Sequence, residues 1–290
     1  MAGNTGERPV SKTPKARALG AALRAERETY GLSLRAFAAQ LGLAPSSLTR
    51  WETGDRSPRR EDVIRYITKL GVREQRYNEI LALTEDADNP LWAATSLPEQ
   101  TQQLTALVEF ETAASEITHV QPLLIPGLLQ TDAYARHVMA GVPQGEFAMR
   151  LAVRIGRRNV LTRTDPAPAT YTAYIGEAAL WHMVGSGEVM AEQMRHLLAM
   201  SDLPNVTIRI ISRGAGWNPS WEGAFLLIQP SEVSATPIVH VEVRSTVLFF
   251  NDDQASEPYR NAIAAINDVS MDAATSRRFI ERYGTEWETQ

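Results

Sequence analysis

Arg50 is the side chain in this sequence best placed for recognition chemistry. It lies in the run Pro45-Ser46-Ser47-Leu48-Thr49-Arg50-Trp51-Glu52. Helical spacing there turns Ser46, Ser47, Thr49 and Arg50 to one side and Leu48 and Trp51 to the other. A guanidinium among short hydroxyls, on a narrow helix, suits the major groove of double-stranded DNA. Arg donates twice to guanine O6 and N7, and Ser or Thr serves a base or a phosphate. Arg56, Arg59 and Arg60 follow, around Ser57-Pro58. They read either as a clamp on phosphates, which positions a protein without reading sequence, or as a solvated loop.

Catalytic chemistry finds no comparable constellation. There is no cysteine, hence no thiol nucleophile, thiolate metal site or disulfide framework. His119, His137, His182, His196 and His240 form no HExxH pair, and no GxSxG, Walker or dinucleotide glycine pattern occurs. The expectation is a non-enzyme with no catalytic residues, no metal and no cofactor. No run approaches the roughly 18–20 apolar residues that span a bilayer. The N-terminus lacks the apolar core of a signal peptide. A cytoplasmic, nucleoid-associated protein is expected.

Further along, Arg150, Arg154, Arg157 and Arg158 fall at i, i+4, i+7 and i+8, on one face of an amphipathic run from Glu146 to Thr162. Three uses are open: ion pairing with acids such as Glu177 and Glu242 or across subunits, binding an anionic effector, or extending a DNA footprint. Trp217, Trp221 and Phe225, in a glycine-rich stretch, either line a small-molecule pocket or pack in a core or interface. Glu109, Glu111 and Glu116 read as a solvated helix face.

The reading residues need elements to hold them. Gly31-Leu32-Ser33 is a turn, with Ser33 as N-cap. Leu34, Phe37, Ala38 and Leu41 then share a helical face. Gly42-Leu43-Ala44 leads to Pro45, whose missing N–H suits the first helical position. Two short helices joined by a tight glycine turn make a helix-turn-helix. Ala44 offers no side-chain cap, so the first N–H groups of the second helix are left to a phosphate or to water. A helix from Lys15 to Tyr30 precedes the motif. One capped by Ser57 and opened by Pro58 follows, with Val63, Ile67 and Leu70 inward. A last helix covers Arg73 to Ala87.

The stretch resembles the lambda-repressor-like, XRE-type helix-turn-helix family. The resemblance rests on Arg24, Arg27, Gly31-Leu32-Ser33, Phe37-Ala38, Leu41-Gly42-Leu43, Ser47 to Gly54, Arg56 and Pro58. Leu34 stands where many members carry Gln. The resemblance implies an all-α five-helix domain in which Arg27 pairs with Glu52, tying the first helix to the third.

Charge divides the chain in the same way. Residues 1–83 hold 15 Lys+Arg and 9 Asp+Glu, although the whole chain is at −5. A basic module on an acidic body suits nucleic-acid binding through one end. The expected organisation is a disordered tail at 1–14, with Arg8, Lys12 and Lys15 near a DNA backbone or merely solvated. A DNA-binding domain at 15–84, a linker at 85–101 and a larger α+β domain at 102–286 follow. In that last domain a helix from Gln102 through Ile117 leads on. Later come the segments VTIRIIS, GAFLLIQ, PIVHVEV and STVLFF, read as antiparallel strands, and two closing helices near 253–268 and 272–283.

The second part resembles the C-terminal domain of a large actinobacterial family of such regulators, once of unknown function and now described as antitoxin-like. The residues are Pro126 to Thr131, Tyr134-Ala135-Arg136, Arg154, Arg157, Leu161, Glu177 to Leu180, Pro204 to Thr207, Gly216, Gly223, Phe225 and Glu242. Arg158, Trp181-His182, Arg213 and His240 depart from its usual residues. The resemblance implies a sequence-specific transcriptional regulator, homodimeric, often encoded beside a small partner protein. Its C-terminal domain would sense a small effector or bind that partner. An antitoxin-like two-gene module and an enzyme merely localised by its DNA-binding domain are the alternatives.

Overall fold

The computed structural model describes residues 13–94, 97–232, 235–243 and 246–289. Most of the expected tail, with Arg8 and Lys12, lies outside them. The chain divides into two compact units, residues 1–110 with 234–255, and residues 111–233 with 256–290.

The first unit opens with five helices: α1 (Pro14–Thr29), α2 (Leu34–Leu41), α3 (Pro45–Glu52), α4 (Arg60–Lys69) and α5 (Glu74–Ala82). Each apolar stripe turns inward, and Leu19, Leu23, Phe37, Leu48, Ile67 and Ile80 are fully buried. The caps follow local chemistry. The Thr13 and Ser33 hydroxyls accept the N–H groups of Ala16 and Ala36. Gly42 takes the left-handed conformation that ends α2 (φ 66°). Two boundaries differ from the sequence reading. Arg59, not Ser57, is the N-cap of α4, and α5 stops at Ala82, giving way to turns through Asp88.

Gly20 is where α1 meets α3. A Cβ built there would lie 2.5 Å from the Trp51 carbonyl oxygen and 2.7 Å from that of Glu52. No side chain fits, so the two helices touch backbone to backbone.

The unit continues with β1 (Leu91–Ala94), within the stretch read as a linker, and with α6 (Leu97–Thr112). Returning later, β6 (Ile238–Val243) and β7 (Thr246–Phe250) give an antiparallel run of strands in the order β1-β7-β6. Phe249 is its fully buried centre, against Trp92, Phe110 and His240. The Gln103 side-chain amide donates to the carbonyls of Trp92 (3.0 Å) and Val247 (3.1 Å), tying α6 to β1 and to its neighbour β7.

In the second unit β2 (Ala114–Gln121), β3 (Thr170–Gly176), β4 (Val206–Ile211) and β5 (Phe225–Pro230) are ordered β5-β2-β3-β4. β2 corrects the expectation of a helix through Ile117. Ile117, Thr118 and Val120 are β-branched, and the strand is paired on both edges, to β3 and β5. A second correction concerns VTIRIIS, which pairs parallel to β3 rather than antiparallel. The connection between them holds α9 (Ala178–Trp181) and α10 (Gly187–Ser201), the helical crossover that parallel pairing needs. Between β2 and β3 lie α7 (Asp132–Val138) and α8 (Gln144–Arg157); α11 (Asp253–Val269) and α12 (Ala273–Glu288) close the chain. Three of the five described strand pairings are antiparallel. The architecture is a helical helix-turn-helix region followed by an α+β part with a mainly antiparallel arrangement of strands.

Gly20→Ala is expected to lower stability by roughly 1–3 kcal/mol, because the added methyl must push α3 off α1. Urea unfolding of the variant checks this; unchanged stability would mean that the helices separate without cost.

Candidate nucleic-acid interface

α3 begins at Pro45, and its N-cap residue Ala44 makes no side-chain capping bond. Its outer side carries Ser46, Thr49 and Arg50, all exposed, with Ser47 half-buried; Leu48 and Trp51 are buried on the inner side. Thr49 donates its hydroxyl to the Pro45 carbonyl (3.0 Å), and the Arg50 Nε reaches the Ser46 carbonyl at 3.4 Å. The guanidinium thus lies along its own helix. The Arg56 N–H donates to the Arg50 carbonyl (3.0 Å), so the following loop is fastened to the end of α3. Arg56 and Arg59 are exposed. Arg60 turns elsewhere: its guanidinium donates to the Leu81 carbonyl and the Thr84 hydroxyl, both at 3.2 Å, at the end of α5. The three arginines read together in the sequence are therefore not one cluster.

Behind α3 lies a buried ion pair. Arg27 donates to Glu52 through Nε (2.8 Å) and Nη2 (2.6 Å), and their side chains are 8% and 3% exposed. The remaining Arg27 nitrogen donates to the Leu32 carbonyl at 2.7 Å, in the turn before α2. The Tyr66 hydroxyl lies 2.8 Å from Glu52 and 2.9 Å from the Leu23 carbonyl. Its ring meets Phe37 edge-on at 4.7 Å. Three helices, α1, α3 and α4, thus meet at one carboxylate, and α2 packs on the cluster through Phe37. The hydrogen bonds it donates to Glu52 strengthen the hold of Arg27 on its proton, and burial with the adjacent carboxylate pushes the Tyr66 hydroxyl well up. Tyr66 was not legible as part of this cluster. Its position in α4, three after Val63, shows only that it faces inward.

In the second unit the basic face of α8 is largely occupied by its own neighbours. Arg150 pairs with Glu146 (2.9 Å) and Arg154 donates to the Gln130 amide oxygen (3.1 Å). Arg157 forms a two-pronged bond to Glu111 (2.7 Å each), and Arg158 pairs with Asp132. Glu111 is 1% exposed, which corrects its reading as a solvated residue. Glu116 is on β2, not on a helix with it. Gln130 also donates to the Ile125 carbonyl, while Gln193 accepts from the Thr131 N–H and donates to the Leu129 carbonyl. The Pro126–Thr131 string is thus held by amide side chains.

Glu177 stands apart from the basic helix. Its carboxylate is buried and accepts from the Tyr283 hydroxyl (2.7 Å), the Arg213 N–H (2.9 Å) and the Ser212 hydroxyl (3.2 Å). Burial alone would push its carboxyl up, but these hydrogen bonds outweigh burial and hold it below its usual range. Trp217 and Trp221 are 69% and 64% exposed, whereas Phe225 is buried against the Tyr259 ring at 5.0 Å. The expected aromatic trio is divided between surface and core.

Among the described residues no group of three or more His, Asp and Glu side chains is placed to hold a metal, and no helix is long and apolar enough to cross a membrane. Residues 104–282 match the family model of a domain of unknown function, DUF5753. The chain belongs to that family. Residues 18–79 match the model of a helix-turn-helix domain, over the five helices described above, which makes this part a DNA-binding module and points to a regulator rather than an enzyme. No curated protein and no solved structure matches the chain.

Glu52→Ala is expected to cost about 3–5 kcal/mol, because Arg27 stays buried without its partner. A loss under about 1 kcal/mol in urea unfolding would show that water replaces the carboxylate freely. The stability that Glu177 contributes is present above about pH 4.3, the value of an unfolded glutamate, and is lost as pH falls through its lower folded value. Acid titration of unfolding should therefore fall less steeply in Glu177→Gln than in the native chain; parallel curves would refute this.

Proposed function

We propose that the chain is a sequence-specific transcriptional regulator of the XRE type. α3 enters the major groove of double-stranded DNA, Arg50 reads a guanine, and Ser46, Ser47 and Thr49 serve neighbouring bases or phosphates. Arg56 and Arg59 hold the backbone, with Arg60 the weaker member because it is engaged at α5. The observation that carries this reading is the exposed polar side of α3, fixed from behind by the Arg27–Glu52 pair, within a matched helix-turn-helix domain. Pairing as a homodimer on two half-sites about one helical turn apart follows from how such modules dock.

The DUF5753 domain serves as the sensing or interaction module, taking a small effector or a small protein encoded nearby. The antitoxin-like reading is the version in which the partner protein dominates. The internal pairing of Arg154, Arg157 and Arg158 favours neutral or cationic ligands over an anion held on that face. In this reading the chain works in the cytoplasm, beside the nucleoid, and the resemblance of the domain supports an actinobacterial regulator.

The test is fluorescence anisotropy with DNA from the upstream region of its own gene, using native chain and Arg50→Ala at several salt concentrations against scrambled competitor. The native chain should bind more weakly as salt rises. Arg50→Ala should lose about 1–3 kcal/mol of discrimination at one base pair. Binding indifferent to salt, sequence and Arg50 overturns the reading.

A further inference from the structure

A cavity of about 500 Å³ lies in the second unit, lined by Met183, Gly187, Glu188, Ala191, Arg195, Trp287 and Glu288. That is within the range of small-molecule sites, roughly 300–1,000 Å³. Its floor is apolar: Ala191 of α10 is 4% exposed and Trp287 of α12 is 7% exposed. The Trp287 indole N–H donates to the Leu180 carbonyl at 2.8 Å, which holds the ring in place. Gly187 presents no side chain to the cavity, and the backbone of Trp287 lies close enough that a Cβ there would meet it at 3.5 Å. Met183 stands at the rim, 63% exposed, an unbranched side chain able to fold over an occupant of irregular shape.

The charges are arranged unevenly. Arg195 stands 3.8 Å from Glu288, so these two largely offset each other. Glu188 forms no ion pair among the described residues, and the Ser186 hydroxyl beside it holds its carboxyl below the usual range. An apolar floor with an exposed carboxylate at its edge that forms no ion pair among the described residues favours an apolar body carrying a positive charge.

We propose that this cavity binds a small amphiphile with a ring-sized apolar body and a protonated amine, the body against Ala191 and Trp287 and the ammonium beside Glu188. The site names a ligand class for the effector version of the function proposed above and rests on that version for its biological role, though not for its existence.

The probe is 2-phenylethylamine, compared with 2-phenylethanol and 3-phenylpropionate, added to the full chain labelled with ¹⁵N. Six tryptophans give six indole signals, and Trp287→Phe assigns the one that reports the cavity. The amine should shift the Trp287 signal saturably. The alcohol and the acid should bind roughly threefold or more weakly, the scale of one exposed charge pair. Glu188→Gln, on the exposed rim, should erase that preference while leaving the spectrum otherwise intact. Ala191→Leu should weaken all three probes about tenfold by filling the floor. A Trp287 signal unmoved at 10 mM amine, shifts confined to other tryptophans, or equal binding of the three probes by the native chain overturns the proposal. Repeating the DNA titration with saturating amine separates the two claims. A changed operator affinity supports site and sensing together, whereas an unchanged one beside a shifted Trp287 supports the site and overturns the sensing role.

Discussion

The orientation of α3 depends on a charge pair that has almost no access to bulk water. Removing two ions from water costs several kcal/mol each, and only a complete set of partners offsets it. The Arg27–Glu52 pair has that set. Both carboxylate oxygens accept from Arg27, Tyr66 adds a hydroxyl, and the third guanidinium nitrogen finds the Leu32 carbonyl. Apolar packing alone tolerates small rotations of a short helix. A two-pronged ionic bond does not, because its geometry is planar and its alternatives leave a buried charge unpaired. Gly20 adds the second constraint by letting the α3 backbone rest directly on α1. An eight-residue helix, too short to be stable alone, is thereby held with its polar side outward.

The same chemistry recurs in the second unit with another purpose. Arg157 and Glu111 are again a buried two-pronged pair, at 7% and 2% side-chain exposure, and Arg154 reaches the amide of Gln130. These bonds join α8 to the end of α6 and to the Pro126–Thr131 string. An arginine row that spacing alone presents as one binding face is, in the folded chain, a row of four fasteners with four different partners. Glu177 does similar work mainly through neutral donors, accepting from two loop residues and from Tyr283 of α12, with the Arg282 guanidinium 3.7 Å away.

What could be read from the chain followed the range of the interactions. The five helices, the Ser33 cap, the glycine turn at Gly42 and the inward side of α3 are local, and their residues announce them. The Arg27–Glu52 contact spans 25 positions and was visible only through resemblance to a family. Tyr66 was missed because a tyrosine in an apolar stripe looks like core, and its hydroxyl partner comes from another helix. β2 was missed for a related reason. Leu104, Leu107, Phe110, Ala114 and Ile117 continue a helical rhythm past Thr112, where the chain in fact turns into a strand paired on both edges. β1 was hidden among acids and prolines; only the apolar pair Leu91-Trp92 hinted at it. The parallel pairing of β4 is not local at all, since it is decided by the crossover through α10.

Exposure also separates two kinds of arginine that composition treats alike. Arg27 and Arg157 have carboxylates in a fixed fork and almost no contact with solvent, so they define geometry and have nothing left to offer a ligand. Arg50, Arg56 and Arg59 are exposed on or beside α3, where a guanidinium keeps its hydration and is available for the phosphate and base contacts proposed above. Arg60 is intermediate, half exposed yet already bonded to the end of α5. Recognition demands residues of the second kind, held still by residues of the first. A change from Arg to Lys is therefore not equivalent at the two sets of positions, because a point charge can meet a phosphate but cannot reproduce a planar fork against Glu52 or Glu111.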